Sequence, residues 1–247
     1  FIEHEWHKRR HGVWVRIKGV DLYFPGTYYT FLNYWTMKDG KKPEFRYCQY
    51  VIFLVWDFVV RHLNYYGLLL IKPRRVGGTE ISLFLMWEKI SRTRGATGGM
   101  QSKNNTSAKK NYKRLLFAQN NMIWFFKPQQ RGSTGAQEEL EFRYPETRIN
   151  QARVIEESEI EDTSYDVTYA DPELNSSIDY QSSVASAYDG ERLERYILSE
   201  FGKIDDKIAM SPNEALQTVI PCLHLDSGRT IIGKAFCESS IEDLGSG

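Results

Sequence analysis

The feature that most restricts how this chain can fold is a short apolar run joined to a helix by a basic, glycine-containing loop. Residues 68–71 (LLLI) are followed by Lys72-Pro73-Arg74-Arg75-Val76-Gly77-Gly78-Thr79, and residues 79–91 (TEISLFLMWEKIS) then show helical spacing. The run is too brief for a helix and its flanks suit a fully buried, parallel-type strand. Strand, glycine turn and helix in that order form the context a phosphate-binding loop requires. Backbone N–H groups around Gly77 and Gly78 would cradle a phosphate, helped by the positive end of the following helix and by the close approach that glycine permits. Thr79 would place its hydroxyl on Mg²⁺. The usual GxxxxGK[ST] pattern is not matched, since Gly78 stands at its lysine and Lys72 at its first glycine. A basic turn that binds nothing fits the same residues, and the loop alone does not choose.

Around this unit the chain alternates strands and helices. Residues 13–17 and 20–24 read as a hairpin about Lys18-Gly19, residues 27–36 as an aromatic helix, and residues 47–65 as a strongly apolar one. After the loop helix come a small-residue strand at 96–101 and a helix from the Ser102–Thr106 region to about Ala118. Residues 123–126 and 140–144 read as strands, 129–137 as a loop, 156–179 as an acidic irregular stretch and 183–187 as a short strand. Residues 195–199 (RYILS) and 230–237 (TIIGKAFC) are apolar runs of strand length with polar ends. Such alternation predicts a mostly parallel α/β sheet with helices on both faces, and a ligand at the carboxyl ends of its strands. We expect residues 1–66 to form an extension carrying the hairpin and the aromatic helices, and residues 67–247 to form the core.

Composition narrows the function. The formal charge of zero hides a split: residues 1–150 carry a net +13 and residues 151–247 a net −13. A basic face for an anionic partner is therefore expected beside an acidic segment. Three scattered cysteines, Cys48, Cys222 and Cys237, fit a reducing compartment rather than a disulfide framework. The longest apolar run, residues 51–60, is broken by Asp57 and is too short for the ~20 residues of a membrane span. No membrane partner is expected, and the first residues lack a signal peptide's apolar stretch. His4, His7 and His11 recur at near-helical spacing but lie among Lys8, Arg9 and Arg10, which reads as a solvated arm rather than a metal site. Lys103, Lys109, Lys110, Lys113 and Arg114 fall on one predicted helix, as either a solvated face or a surface for phosphate backbones.

The spacing Lys72-x-x-Arg75-x-Gly77-x-Thr79 resembles the deviant phosphate loop of viral large terminase subunits, in which the lysine moves to the loop's start. Further blocks follow in the family's order. Tyr34-Trp35 and Pro43-Glu44-Phe45-Arg46, with Gln49 on the next helix, resemble the adenine-side segment; Met100-Gln101-Ser102 resembles the second strand. Tyr196-Ile197-Leu198-Ser199-Glu200 resembles the Walker B strand, and Glu238-Ser239-Ser240 ends a stretch resembling the coupling motif.

This resemblance implies a P-loop (ASCE/RecA-like) ATPase domain of a bacteriophage DNA-packaging motor, lacking its nuclease. It implies ATP and Mg²⁺ as cofactors and double-stranded DNA as substrate, translocated into a procapsid. The implied partners are further copies of the chain in a ring, a portal protein and a small terminase subunit, all in the host cytoplasm. Glu200 would activate the attacking water, with Lys72 and Arg75 neutralising the transferred phosphoryl group. Arg46, Gln49, Arg74, Val76, Gly77, Gly78, Thr79 and Glu80 would line the nucleotide, and Thr79, Ser199 and Glu200 the metal. Glu238, Ser239 and Ser240 would couple hydrolysis to movement, and Gly78→Lys would be tolerated.

Two positions depart from the family. Ser199 stands where an aspartate is usual, and Asp189 where a trans-acting arginine is usual, so that Arg192, Arg195 and Arg131 become candidates for that role. The competing classes are a superfamily 2 helicase-like translocase and a catalytically weak nucleotide- or DNA-binding module.

Overall fold

A computed structural model describes residues 1–130, 139–142, 174–204, 211–225 and 230–241. Its centre is a six-stranded sheet. The strands are β3 (Gly67–Lys72), β4 (Thr97–Ser102), β5 (Glu139–Phe142), β6 (Ser176–Tyr180), β7 (Arg195–Ser199) and β10 (Lys234–Ser240), in the spatial order β3-β10-β7-β4-β6-β5. Every pairing is parallel except β5 with β6. The loop strand β3, the acid-bearing strand β7 and β10 therefore lie side by side, as the sequence predicts, with β10 in the middle.

Both faces of the sheet are covered. Ile197 and Phe236 belong to a core shared with helices α2 (Gly26–Tyr34), α3 (Tyr47–Arg61), α4 (Gly78–Ile90) and α5 (Asn105–Asn120). Their chain neighbours Tyr196, Leu198, Ala235 and Cys237 pack instead with Ala215 and Val219 of α6 (Pro212–Cys222). Adjacent residues serving opposite cores is the signature of a strand buried on two faces. It explains why β7 and β10 are continuous apolar runs rather than alternating ones. The expected α/β class is borne out. No helix among the described residues is long and apolar enough to cross a membrane.

Local chemistry sets the ends of these elements. The hairpin of β1 (Val13–Ile17) and β2 (Val20–Phe24) turns through Lys18 and Gly19, both with positive φ, the geometry of a two-residue type I′ turn. Helix α5 begins after Asn104, whose side chain accepts from the Ser107 N–H at 2.8 Å, so Lys103 lies on the preceding turn and not on the helix. Ser211 and Glu214 form a capping box at the start of α6, with Pro212 in the first position.

The expected N-terminal arm is a helix, α1 (Ile2–His11). His4, His7 and His11 do lie on its exposed side, but Arg9 is 1% exposed. Its guanidinium sits about 5 Å from the rings of Trp6, Trp87 and Phe126 and donates to Ser91 Oγ at 2.9 Å. A chain of charges that looks solvated in sequence thus carries one residue whose planar cation satisfies a buried aromatic box.

Three further expectations need correction. Residues 123–126 form hydrogen-bonded turns, not a strand, because Phe126 and Lys127 N–H groups close back on the Ile123 carbonyl. Their aromatics pack on α1 and Tyr34 instead. Residues 185–188 form one 3-10 turn, held by Tyr188, whose hydroxyl accepts from the Met100 N–H at 2.9 Å. The run at 230–237 is split: the N–H groups of Ile232 and Gly233 both donate to the Leu223 carbonyl, ending the short strand β9 (Thr230–Ile231, paired with β8, His224–Leu225) before β10 begins. The stretch 156–179 is irregular by sequence, yet its last residues enter the sheet as β6; residues 156–173 lie outside the described residues.

Candidate nucleotide site

The loop between β3 and α4 leaves the sheet at Lys72 and enters the helix at Gly78. Two residues take left-handed backbone angles, Arg75 (φ 65°) and Gly77 (φ 85°), the latter as N-cap of α4. Left-handed residues within a turn aim successive N–H groups into a concavity suited to an anion. At Gly78 the reason for glycine is contact rather than angle. A Cβ there would lie 2.2 Å from Lys72 Cε, so the stem of Lys72 fills the space a side chain at 78 would occupy. A lysine at the loop's start and a glycine at its end are one packing solution. A side chain at 78 would have to displace the flexible end of Lys72, so Gly78→Lys sets the two side chains in competition.

Beside the loop lies a cavity of about 280 Å³, lined among others by Phe31, Pro43, Arg46, Gln49, Gly77 and Glu80. Arg46 and Gln49 hold the loop from this side. Arg46 donates to the Arg75 carbonyl at 3.2 Å, and Gln49 Nε2 to the Val76 carbonyl at 2.7 Å. Gln49 Oε1 is buried and accepts no hydrogen bond. Glu80, in the first turn of α4, accepts from Trp35 Nε1 at 3.3 Å and faces Arg114 at 3.9 Å. Arg74 and Arg75 are exposed at the loop's rim.

The polar ends of three strands meet under the loop. Pairing puts Glu238 level with Ser199 on one side and with Leu70 on the other, and Ser240 level with Lys72. Glu238 is 0% exposed. Its Oε1 accepts from Thr79 Oγ1 at 2.9 Å and from Ser199 Oγ at 2.6 Å, and its Oε2 lies 2.9 Å from Lys72 Nζ. That last contact is an ion pair without hydrogen-bond alignment, so Oε2 is a buried acceptor with no hydrogen bond. Sequence reasoning grouped Glu238 with Ser239 and Ser240. Alternation along the strand turns Ser239 to the opposite face, while Ser240 stays on the face of Glu238. Ser239 Oγ accepts from the Gly202 N–H at 3.1 Å, next to the turn that follows β7.

Glu200 follows β7 in a left-handed conformation (φ 56°), and its N–H donates to the Glu238 carbonyl at 2.7 Å. Its carboxylate is partly exposed and pairs with Lys103 at 3.0 Å and Lys203 at 4.0 Å. Lys103, read as part of a basic helix, thus belongs to this site, and Arg114 faces Glu80. Lys109, Lys110 and Lys113 remain as an exposed basic stripe on α5.

The candidates for a trans-acting arginine fare differently. Arg195 is 5% exposed, sits 5.4 Å from the Trp56 ring and donates to the Glu194 carbonyl at 2.7 Å, which removes it from that role. Burial pulls its pKa down to about 10, so it stays charged. Arg192 is exposed before the start of β7, at the opposite end of the strand from Glu200, paired with Glu194 at 3.4 Å. Arg131 lies outside the described residues.

Among the described residues no group of three or more His, Cys, Asp and Glu side chains is assembled to hold a bare metal ion. What the site offers instead is two hydroxyls, one buried carboxylate and a loop shaped to suit an anion, a donor set suited to a cation that arrives with a phosphate.

The fold is similar to that of the HK97 bacteriophage large terminase, with a TM-score of 0.57 over 86% of this chain and 10% identity. This chain spans 36% of that protein's length. The Thermus phage P74-26 large terminase ATPase domain is also matched, at 14% identity over 70% of this chain and 58% of that one, with a TM-score of 0.42. No family model matches the sequence, and no curated protein does.

Proposed function

We propose that this chain is the ATPase domain of a viral large terminase subunit, coupling Mg²⁺-dependent ATP hydrolysis to the movement of double-stranded DNA into a procapsid. In this reading residues 1–66 form the adenine-side extension and residues 67–247 the P-loop core. The observation that carries it is the phosphate loop itself: Lys72 packed into the space left by Gly78, at the N-terminus of α4, directly beside a cavity braced by Arg46 and Gln49. The HK97 likeness supports the fold and agrees with this assignment.

Bound ATP with Mg²⁺ would supply the scissile phosphoryl group and the cation that neutralises it. The chain's own residues supply position and charge. Loop N–H groups and the α4 terminus hold phosphate oxygens. Thr79 turns its hydroxyl toward the cation, and Lys72 exchanges Glu238 for a phosphate. Gln49 Oε1, an acceptor without a partner, suits an exocyclic amino group such as adenine's. Glu200 orients the attacking water once it leaves Lys103. Lys109, Lys110 and Lys113 offer sequence-independent contacts to a DNA backbone, as a motor that runs on any sequence requires.

Equilibrium binding of a fluorescent ATP analogue to wild type and to Lys72→Ala tests this reading. Loss of binding in the variant is expected; equal affinity in both would remove the loop from the site.

A further inference from the structure

A P-loop site needs an acid beside its loop hydroxyl, because a hard divalent cation is held by oxygen ligands and a serine brings no charge. Position 199, at the end of β7, is a serine. Three carboxylates lie on the segments that form this site, Glu80, Glu200 and Glu238, and their contacts distinguish them. Glu200 is turned to Lys103 and Lys203, and Glu80 to Trp35 and Arg114. Glu238 alone of the three touches the Thr79 hydroxyl, at 2.9 Å, and it binds the Ser199 hydroxyl at 2.6 Å with the same oxygen.

We infer that Glu238 is the metal-orienting acid of this site, moved one strand sideways from position 199 on β7 to the position level with it on β10. The inference rests on the ATPase reading above.

The pairing register makes the exchange possible. Ser199 and Glu238 are direct neighbours across parallel strands, so an acid on either can point toward the start of α4. Because β10 lies between β3 and β7, an acid at 238 stands one strand nearer the loop than an acid at 199 would, and it reaches the Thr79 hydroxyl directly. The small Ser199 side chain leaves room for it and donates a hydrogen bond that fixes its orientation.

Burial argues in the same direction. A fully buried carboxylate persists only when paired and hydrogen-bonded. Glu238 has Lys72 and two hydroxyls, yet Oε2 has no aligned donor. When Lys72 turns to a phosphate, Glu238 loses its only cation among these contacts, and a divalent cation at Thr79 replaces that charge. The Lys72–Glu238 pair therefore holds both groups in place until nucleotide and metal arrive together. Glu238 would act through Thr79 and the metal's own waters as a positioning residue, leaving water activation to Glu200.

The test measures metal linkage rather than turnover. Affinity for a fluorescent ATP analogue is titrated in EDTA and in Mg²⁺ for wild type, Glu238→Gln, Glu238→Ser and the exchanged pair Ser199→Asp/Glu238→Ser, with circular dichroism as the check on folding. Wild type should bind more tightly in Mg²⁺. Glu238→Gln frees Lys72 from its ion pair and should bind at least as tightly as wild type in EDTA, but lose about 10–100-fold of the Mg²⁺-dependent gain, the range typical of a metal's outer partners. The exchanged pair should recover a large part of the gain that Glu238→Ser loses, and this comparison decides the matter if Glu238→Gln does not fold. A full Mg²⁺ gain in Glu238→Gln or Glu238→Ser, no gain in wild type, or no recovery in a folded exchanged pair would overturn the assignment while leaving nucleotide binding intact. Wild type that binds no nucleotide in either buffer would overturn the ATPase reading and this inference with it.

Discussion

Lys72 and Gly78 occupy one another's space: the lysine Cε stands 2.2 Å from where a Cβ at position 78 would be. The position of the loop's cation and the absence of a side chain at its end are therefore coupled.

A double-mutant cycle follows from that geometry. Lys72→Ala should lose nucleotide binding. Gly78→Lys alone should also weaken it, because two side chains then compete for one volume. The double variant Lys72→Ala/Gly78→Lys should bind better than either single one. Additive losses in the calorimetric affinities of the four proteins would show that the two positions are independent.

The second prediction concerns the core. Glu88 is fully buried between Arg9, 3.7 Å away, and Arg92, at 2.6 Å. Burial alone would push its pKa up, but Arg92 and Arg9 outweigh this and hold it below the ordinary carboxylate value. Such a group adds stability above its unfolded pKa, and that stability is lost as pH falls through the lower folded value. Glu88→Gln leaves the buried Arg9 guanidinium without its carboxylate and should cost about 3–5 kcal/mol in urea unfolding near neutral pH. The loss should shrink under acid conditions. A cost below about 1 kcal/mol near neutral pH would contradict the network.

Asp179 on β6 shows the opposite sign. Burial raises its pKa to about 6, against hydrogen bonds from Tyr188 and Gln181, and Glu139 stands level with it on β5 as a like charge. Its contribution to stability is complete below the unfolded value of 3.8 and is lost as pH rises through about 6. Asp179→Asn should therefore gain on wild type as pH rises from 4 to 7. Unfolding midpoints that keep a constant gap across that range would contradict the shift.

If an arginine from a neighbouring copy completes the site, as the proposed function implies, the isolated chain should be monomeric and slow. Specific activity should rise with protein concentration. A constant specific activity at full motor speed on dilution, followed by coupled-enzyme assay and sedimentation, would count against a shared site.

The central unit was legible in sequence because its pattern is local. Residues 68–71, the glycine loop and α4 are contiguous, and their periods differ enough to mark strand and helix. The sideways acid was not legible. Nothing in the spacing of Ser199 and Glu238 reveals that β10 inserts between β3 and β7 in a register that sets the two residues level. Arg195 and Arg9 were misjudged for a related reason. Arginine is usually exposed, and only tertiary packing supplies the rings and carboxylates that let these two be buried. The apolar residues 123–126 have strand composition, and α1, which they cover, is remote in sequence.

Glu200 gives the most direct measure of the whole account. Mg²⁺-dependent ATP turnover of wild type beside Glu200→Gln should fall by ~10²–10⁴, the usual effect of losing a group that positions the reacting water, while ATP affinity stays within about twofold. Equal turnover in the two proteins, or no Mg²⁺-dependent turnover in wild type even at concentrations that favour assembly, would contradict it.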